Sequence, residues 1–207
     1  RVRNIGHLVF SCLTLVNYHQ SIQIVLGANN VRLLDLNVGF GEGGLYLYGA
    51  RDIFVGQCVF HDNANFGVVF NNYTSNVLVR DSTSERNAAF DGGGFEADFS
   101  VSNVTLFRCD AIDNAGDGFD LRVDQLVLNE CRAINNTNGI HLWRNAHVQN
   151  TIVHDNLESG VILDRLVGGS PVHDLVNVTV AGRHSEAGIA VREGVAASIS
   201  NTISVGG

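Results

Sequence analysis

The chain has 207 residues, 13 basic and 21 acidic, for a formal net charge of −8, and every basic residue is Arg. That balance excludes a basic stripe for nucleic-acid phosphates, the lack of Lys excludes a lysine base, and no apolar run approaches the ~20 residues a membrane span needs. With 23 Gly, a single Pro and abundant Val, Ile, Leu, Phe, Asn and Asp, the composition predicts many short strands joined by turns rather than helices.

From the start of the chain the pattern is repetitive. Arg1 enters with repeat-like sequence already running, which predicts a segment of a longer chain. His7 to Val16, following Arg1 and Arg3, imitates a signal peptide. Cys12, Asn17 and Ser21 nevertheless keep the spacing of Cys58, Asn63 and Gly67, so the stretch reads as part of the repeat. The repeat itself is a Gly ahead of alternating apolar residues: Gly44, Gly67, Gly94, Gly118, Gly139, Gly160 and Gly188, with Ser21 in the same slot earlier, at steps of 21–28 residues. A period in that range with a period-two pattern inside it is the signature of a stacked β-coil, because no single coil buries its inward face alone. The reading is one all-β solenoid domain over 1–207, of about eight coils.

Within each coil, Leu45, Val68, Phe95, Phe119, Ile140, Val161 and Ile189 form one interior column. Ile53/Val55, Val77/Val79, Val104/Leu106, Leu126/Leu128 and Val178/Val180 predict a second sheet, and Cys109/Ala111 and Cys131/Ala133 a third short strand. Cys12, Cys58, Cys109 and Cys131 fall in one column, predicted to be unpaired thiols in the core, since in-register parallel neighbours are poorly oriented for a bridge. Asn17, Asn63, Asn114, Asn135 and Asn156, each four residues before its motif, predict a corner where stacked amides bond from coil to coil. His61-Asp62 and His154-Asp155 read as turn residues just ahead of it. The longer coils carry their extra residues at 71–76, 98–103 and 164–174, as loops along one groove.

The second and fourth residues after each Gly point outward. One outward column runs Gln23, Tyr46, Val69, Glu96, Asp120, His141, Ile162, Ala190; the other runs Val25, Tyr48, Asn71, Asp98, Arg122, Trp143, Asp164, Arg192. Coils about 4.8 Å apart bring Glu96, Asp98, Asp120, Arg122, His141 and Trp143 into one patch. Exposed Tyr46, Tyr48 and Trp143, with Asn71 and Asp164, suit binding of a sugar chain. Removing a proton at C5 of a uronate needs a base of near-neutral pKa and a cation for the growing negative charge. His141 is the candidate base or acid and Arg122 the neutralising group. Glu96, Asp98 and Asp120 are candidate ligands for Ca²⁺, which would let an acidic protein bind an acidic polymer. Glu96 and Asp120 also suit the acid and base of a hydrolase.

The whole chain resembles, coil by coil, the right-handed parallel β-helix superfamily of pectate lyases, alginate lyases and mannuronan C5-epimerases. Asp117-Gly118-Phe119-Asp120 is similar to the epimerases' Tyr-Gly-Phe-Asp-Pro-His stretch, which implies a catalytic Asp120; the chain departs from it at Asp117, Leu121 and Arg122. The same run resembles calcium-dependent pectate lyases of the Asp-Asp-Gly-Trp-Asp type, which implies Asp117 and Asp120 as metal ligands, with Gly116 in place of another. The resemblance implies an extracellular or cell-surface lyase or C5-epimerase acting on an acidic polysaccharide. The rival expectation is a non-catalytic solenoid serving as a glycan-binding module or structural stalk of a larger surface protein or phage tail.

Overall fold

The computed structural model describes residues 1–19, 22–88 and 93–206, so Ser21 lies outside the described residues. The chain winds as a right-handed parallel β-solenoid of about nine turns, each strand pairing in parallel with its counterpart in the next coil. The first sheet holds Val2–Arg3, Ile22–Val25, Leu45–Tyr48, Val68–Asn71, Phe95–Ala97, Phe119–Leu121, Asn138–Leu142, Ser159–Leu163 and Ala187–Val191, and the other two sheets hold nine strands each. The turn beyond the eight read from the motif belongs to Val2–Arg3, which has no Gly ahead of it yet pairs with Ile24 and Val25. No helix is long and apolar enough to cross a membrane.

The interior column is as the alternation requires: Leu45, Val68, Phe95, Phe119 and Ile140 are fully buried, and the Phe95 and Phe119 rings stack with centroids 5.2 Å apart. Ile189, in the last coil of the first sheet, is only half-buried because no further coil covers it among the described residues. The repeated Gly is a matter of close approach. A Cβ on Gly118 would lie 2.7 Å from the Gly139 carbonyl oxygen and 2.8 Å from the Asn136 amide nitrogen, so any side chain there would push adjacent coils apart.

Three expectations are corrected. The amide ladder runs through Asn63, Asn87, Asn114, Asn136 and Asn156, each Nδ2 donating to the next Oδ1 at 2.9–3.2 Å. Asn17 and Asn135 instead sit one residue earlier, in left-handed conformation at φ 56° and 54°, with Phe40, Asp62, Asp113 and Asp155 in the same column. An Asn serves either role, which is why spacing alone confused them. Cys58, Cys109 and Cys131 are buried free thiols, but Cys12 is exposed. It occupies the left-handed column of the corner between the second and third sheets, where Asp35, Gln57 and Asp81 follow it. Finally, Val180 belongs to the third sheet, and the second-sheet strand of that coil is Val172–Val176, displaced by the 164–171 loop.

Candidate active site

Both outward columns exist in the register expected. Gln23, Tyr46, Val69, Glu96, Asp120, His141, Ile162 and Ala190 are consecutive parallel partners. In the second column, backbone bonds from Asp98 to Phe70, Arg122 to Ala97, Trp143 to Leu121 and Asp164 to Leu142 carry the register past the strand ends. The two columns flank a cleft of about 410 Å³ lined by Glu96, Asp117, Asp120, Arg122, His141 and Trp143 among others.

Asp120 is its hub. One carboxylate oxygen accepts the Arg122 guanidinium at 2.8 Å and the other the Trp143 indole N–H at 2.7 Å. Burial pushes the Asp120 carboxyl above its ordinary value, against the opposing pull of Arg122, His141 and Trp143. His141 lies against the Trp143 ring with centroids 4.4 Å apart; its Nδ1 is 3.4 Å from Asp117 and its Nε2 3.5 Å from Asp164. Each ring nitrogen thus faces a carboxylate across a gap slightly too long for a good hydrogen bond. Asn138 donates to the other Asp117 oxygen at 2.8 Å. Glu96 accepts the Gly93 backbone N–H, and its carboxyl is pushed up to about 7, chiefly by burial, in spite of that bond.

The remaining predicted residues are spread out. Asn71 and Asp98 line an adjoining hollow of about 170 Å³ that shares Glu96, Asp120 and Arg122 with the cleft. Asp98 caps its own turn, accepting the Phe99 N–H at 2.6 Å. Tyr46 and Tyr48 pack on each other at 6.1 Å, and Asn71 donates to the Tyr46 hydroxyl at 3.3 Å, two coils from Glu96. Trp143 differs most from expectation: it is half-buried and built into the cleft wall by Asp120, His141 and the Arg122 guanidinium 5.1 Å from its ring, rather than open as a stacking platform. Asn138, Thr137 and Glu158 also line the cleft and were not anticipated. Their signal is the pair of positions just before each Gly, where Asp117 also falls.

Among the described residues, Asp117, Asp120 and His141 bring donor atoms within 4.8 Å of one another. Glu96 and Asp98 stand outside that group. Calcium takes 6–8 oxygen ligands. Here an imidazole faces two carboxylates, both Asp120 oxygens are held by Arg122 and Trp143, and one Asp117 oxygen by Asn138. The residues present fit a calcium ion poorly.

No curated protein sequence matches the chain. Among solved structures it is similar to pectate lyase Pel9A (TM-score 0.66, 19% identity, 94% of this chain and 58% of that one). It is also similar to an alginate lyase from Paenibacillus sp. str. FPU-7 (0.67, 11%, 96% and 78%) and a variant of the periplasmic alginate epimerase AlgG (0.58, 14%, 84% and 50%). The chain therefore spans only 58% and 50% of the first and third of these, and at such identities the likeness shows the fold alone. The family model for the right-handed beta helix region matches residues 20–203, nearly the whole stack of coils, and the chain belongs to that family.

Proposed function

We propose that the cleft takes an acidic polysaccharide and that the chain acts on it as a uronate lyase or C5-epimerase, outside the cell or at its surface. The observation that carries this reading is the pairing of His141, whose two ring nitrogens face Asp117 and Asp164, with a half-buried Glu96 whose carboxyl is pushed up to about 7 in the same cleft. Removal and redelivery of a C5 proton requires a base and an acid in one cleft, which an imidazole and a carboxyl raised to about 7 can supply. His141 takes the proton. Arg122, and Glu96 while protonated, face the charge that builds on the sugar carboxylate. Asp120 holds Arg122 and Trp143, and through Trp143 the plane of His141. The C5 carbanion then either expels the O4 substituent, leaving a C4–C5 double bond, or regains a proton on the opposite face.

One observation favours the rival binding reading: Arg122 and Asp120 are already paired with each other in the free protein, as they would be on a purely structural face. The test follows alginate, polygalacturonate and glycosaminoglycans for ultraviolet absorbance of unsaturated ends and, by NMR, for C5 configuration. Activity in one arm is expected, and His141→Ala should lower kcat by about 10²-fold or more. Silence in both arms with glycan binding retained overturns catalysis in favour of a binding module; silence without binding leaves a structural stalk.

A further inference from the structure

The cleft by itself is a poor place for the carboxylates of a polyanion. Its wall carries Glu96, Asp117, Asp120 and Glu158, and its guanidinium, Arg122, is already paired with Asp120 at 2.8 Å. Arg122 and protonated Glu96 face the reacting sugar alone, so the carboxylates of its neighbours need groups beyond the cleft.

Past Trp143 the groove continues into a second hollow of about 380 Å³, formed by Trp143, Arg144, Asn145, Asp124 and the loop Leu166–Pro171. Trp143 lines both spaces, so the hollow adjoins the cleft. Among the described residues the arginines held in ion pairs are Arg80, Arg86, Arg108, Arg122 and Arg132. Arg144, inside the hollow, has no such partner; Asp124 lines the same space without pairing with it. Two more unpaired arginines stand around the loop. Arg192 follows Asp164 in the outward column, and Arg165 extends beside Gly194 in the next coil. Around the 164–171 loop, Arg144, Arg165 and Arg192 thus stand outside the ion pairs, with Asp124, Asp164 and Glu193 as neighbouring carboxylates, whereas the cleft's guanidinium is already paired. The Asn145 side-chain oxygen accepts the Val172 N–H at 2.8 Å, which ties the loop's far end to the residue next to Arg144.

We propose that this hollow is a uronate-binding subsite, in which Arg144 pairs with the carboxylate of a sugar next to the reacting one while Arg165 and Arg192 attract the residues that follow. This rests on the reading of the cleft as a site for acidic polysaccharide. A planar guanidinium with free donors matches a carboxylate in a bidentate pair, and unpaired cations near the surface steer a polyanion in a salt-dependent way. Arg144 is a specificity residue and takes no part in the proton transfers.

The test is binding of polygalacturonate and alginate to the intact chain, Arg144→Gln and Arg144→Lys, at low and high salt, with hydroxyethyl cellulose as a neutral polymer. Arg144→Gln should weaken polyuronate binding about tenfold at low salt and raise KM with kcat unchanged, Arg144→Lys should recover part of the loss, and the difference should shrink towards 1 M salt. An unchanged Tm shows that the variant is folded. Polyuronate affinity equal to the parent's in Arg144→Gln, with the parent still turning the polymer over, overturns the subsite and leaves the proposed function standing. A parent that binds no polyuronate overturns both.

Discussion

Glu96 shows how a single side chain acquires chemistry from its place in the stack. In sequence it is one acidic residue on a polar face. In the fold, packing between coils removes it from water and raises its carboxyl from 4.5 to about 7. The folded state then binds a proton that the unfolded state has lost, so stability is fully present below about 4.5 and declines as pH rises towards 7. Glu96→Gln removes that dependence while keeping an oxygen for the Gly93 N–H. It should raise stability by roughly 1–3 kcal/mol at pH 8 and by almost nothing at pH 4, as read from thermal melts at both pH values. A gain of the same size at both would mean that the carboxyl is not held protonated by burial. Legibility differs between neighbours here: Glu96 and His141 were readable as outward residues, whereas the tethering of Trp143 was not, because a strand pattern says which face a side chain leaves from and nothing of how far it folds back.

At the scale of the element, the corner between the third and first sheets separates two kinds of Asn. Asn114 is buried; its oxygen takes both the backbone N–H and the side-chain amide of Asn87, and its own amide donates to Ser84 and Asn136. Asn135, one residue ahead of the ladder in its own coil, is exposed and donates to Asp113 at 2.6 Å. Asn114→Ala strands several buried donors and acceptors at once and should cost about 2–4 kcal/mol in urea unfolding, whereas Asn135→Ala should cost about 1 kcal/mol or less. Equal costs would contradict the ladder's register. The corner itself was visible in the recurrence of Asn. Its register was not, since Asn87 stands seven residues before Gly94 rather than four, and Asn136 three before Gly139.

Across the whole molecule, stability is shared between neighbouring coils, so it should peak in the middle of the stack. The central coils bury Phe60, Phe70, Phe95, Phe119 and Leu121 completely, while Leu13, Leu15 and Val16 in the first coil and Ile199, Ile203 and Val205 in the last are exposed. Native-state hydrogen exchange should therefore show the greatest protection in strands between Leu45 and Leu142 and progressive loss towards both end coils. Uniform protection from Gly6 to Val205 would show instead that the solenoid opens only as a single cooperative unit.

The sequence by itself determined the coil, its inward column, the parallel register and the two outward columns, because each follows from a local rule that every turn repeats: alternation on a strand, and a Gly where two coils come too close for a side chain. The tertiary structure decided what repetition cannot encode. It placed Asn136 rather than Asn135 in the ladder, exposed Cys12, moved the second-sheet strand to Val172–Val176, and closed Trp143 over Asp120. These outcomes depend on which side chains meet across coils whose lengths vary, and on how much water their packing leaves. The same physics brings Asp117 and Asp120 of one coil to His141 of the next in one cleft, and sets Asp164 of the coil after that against the far nitrogen of His141.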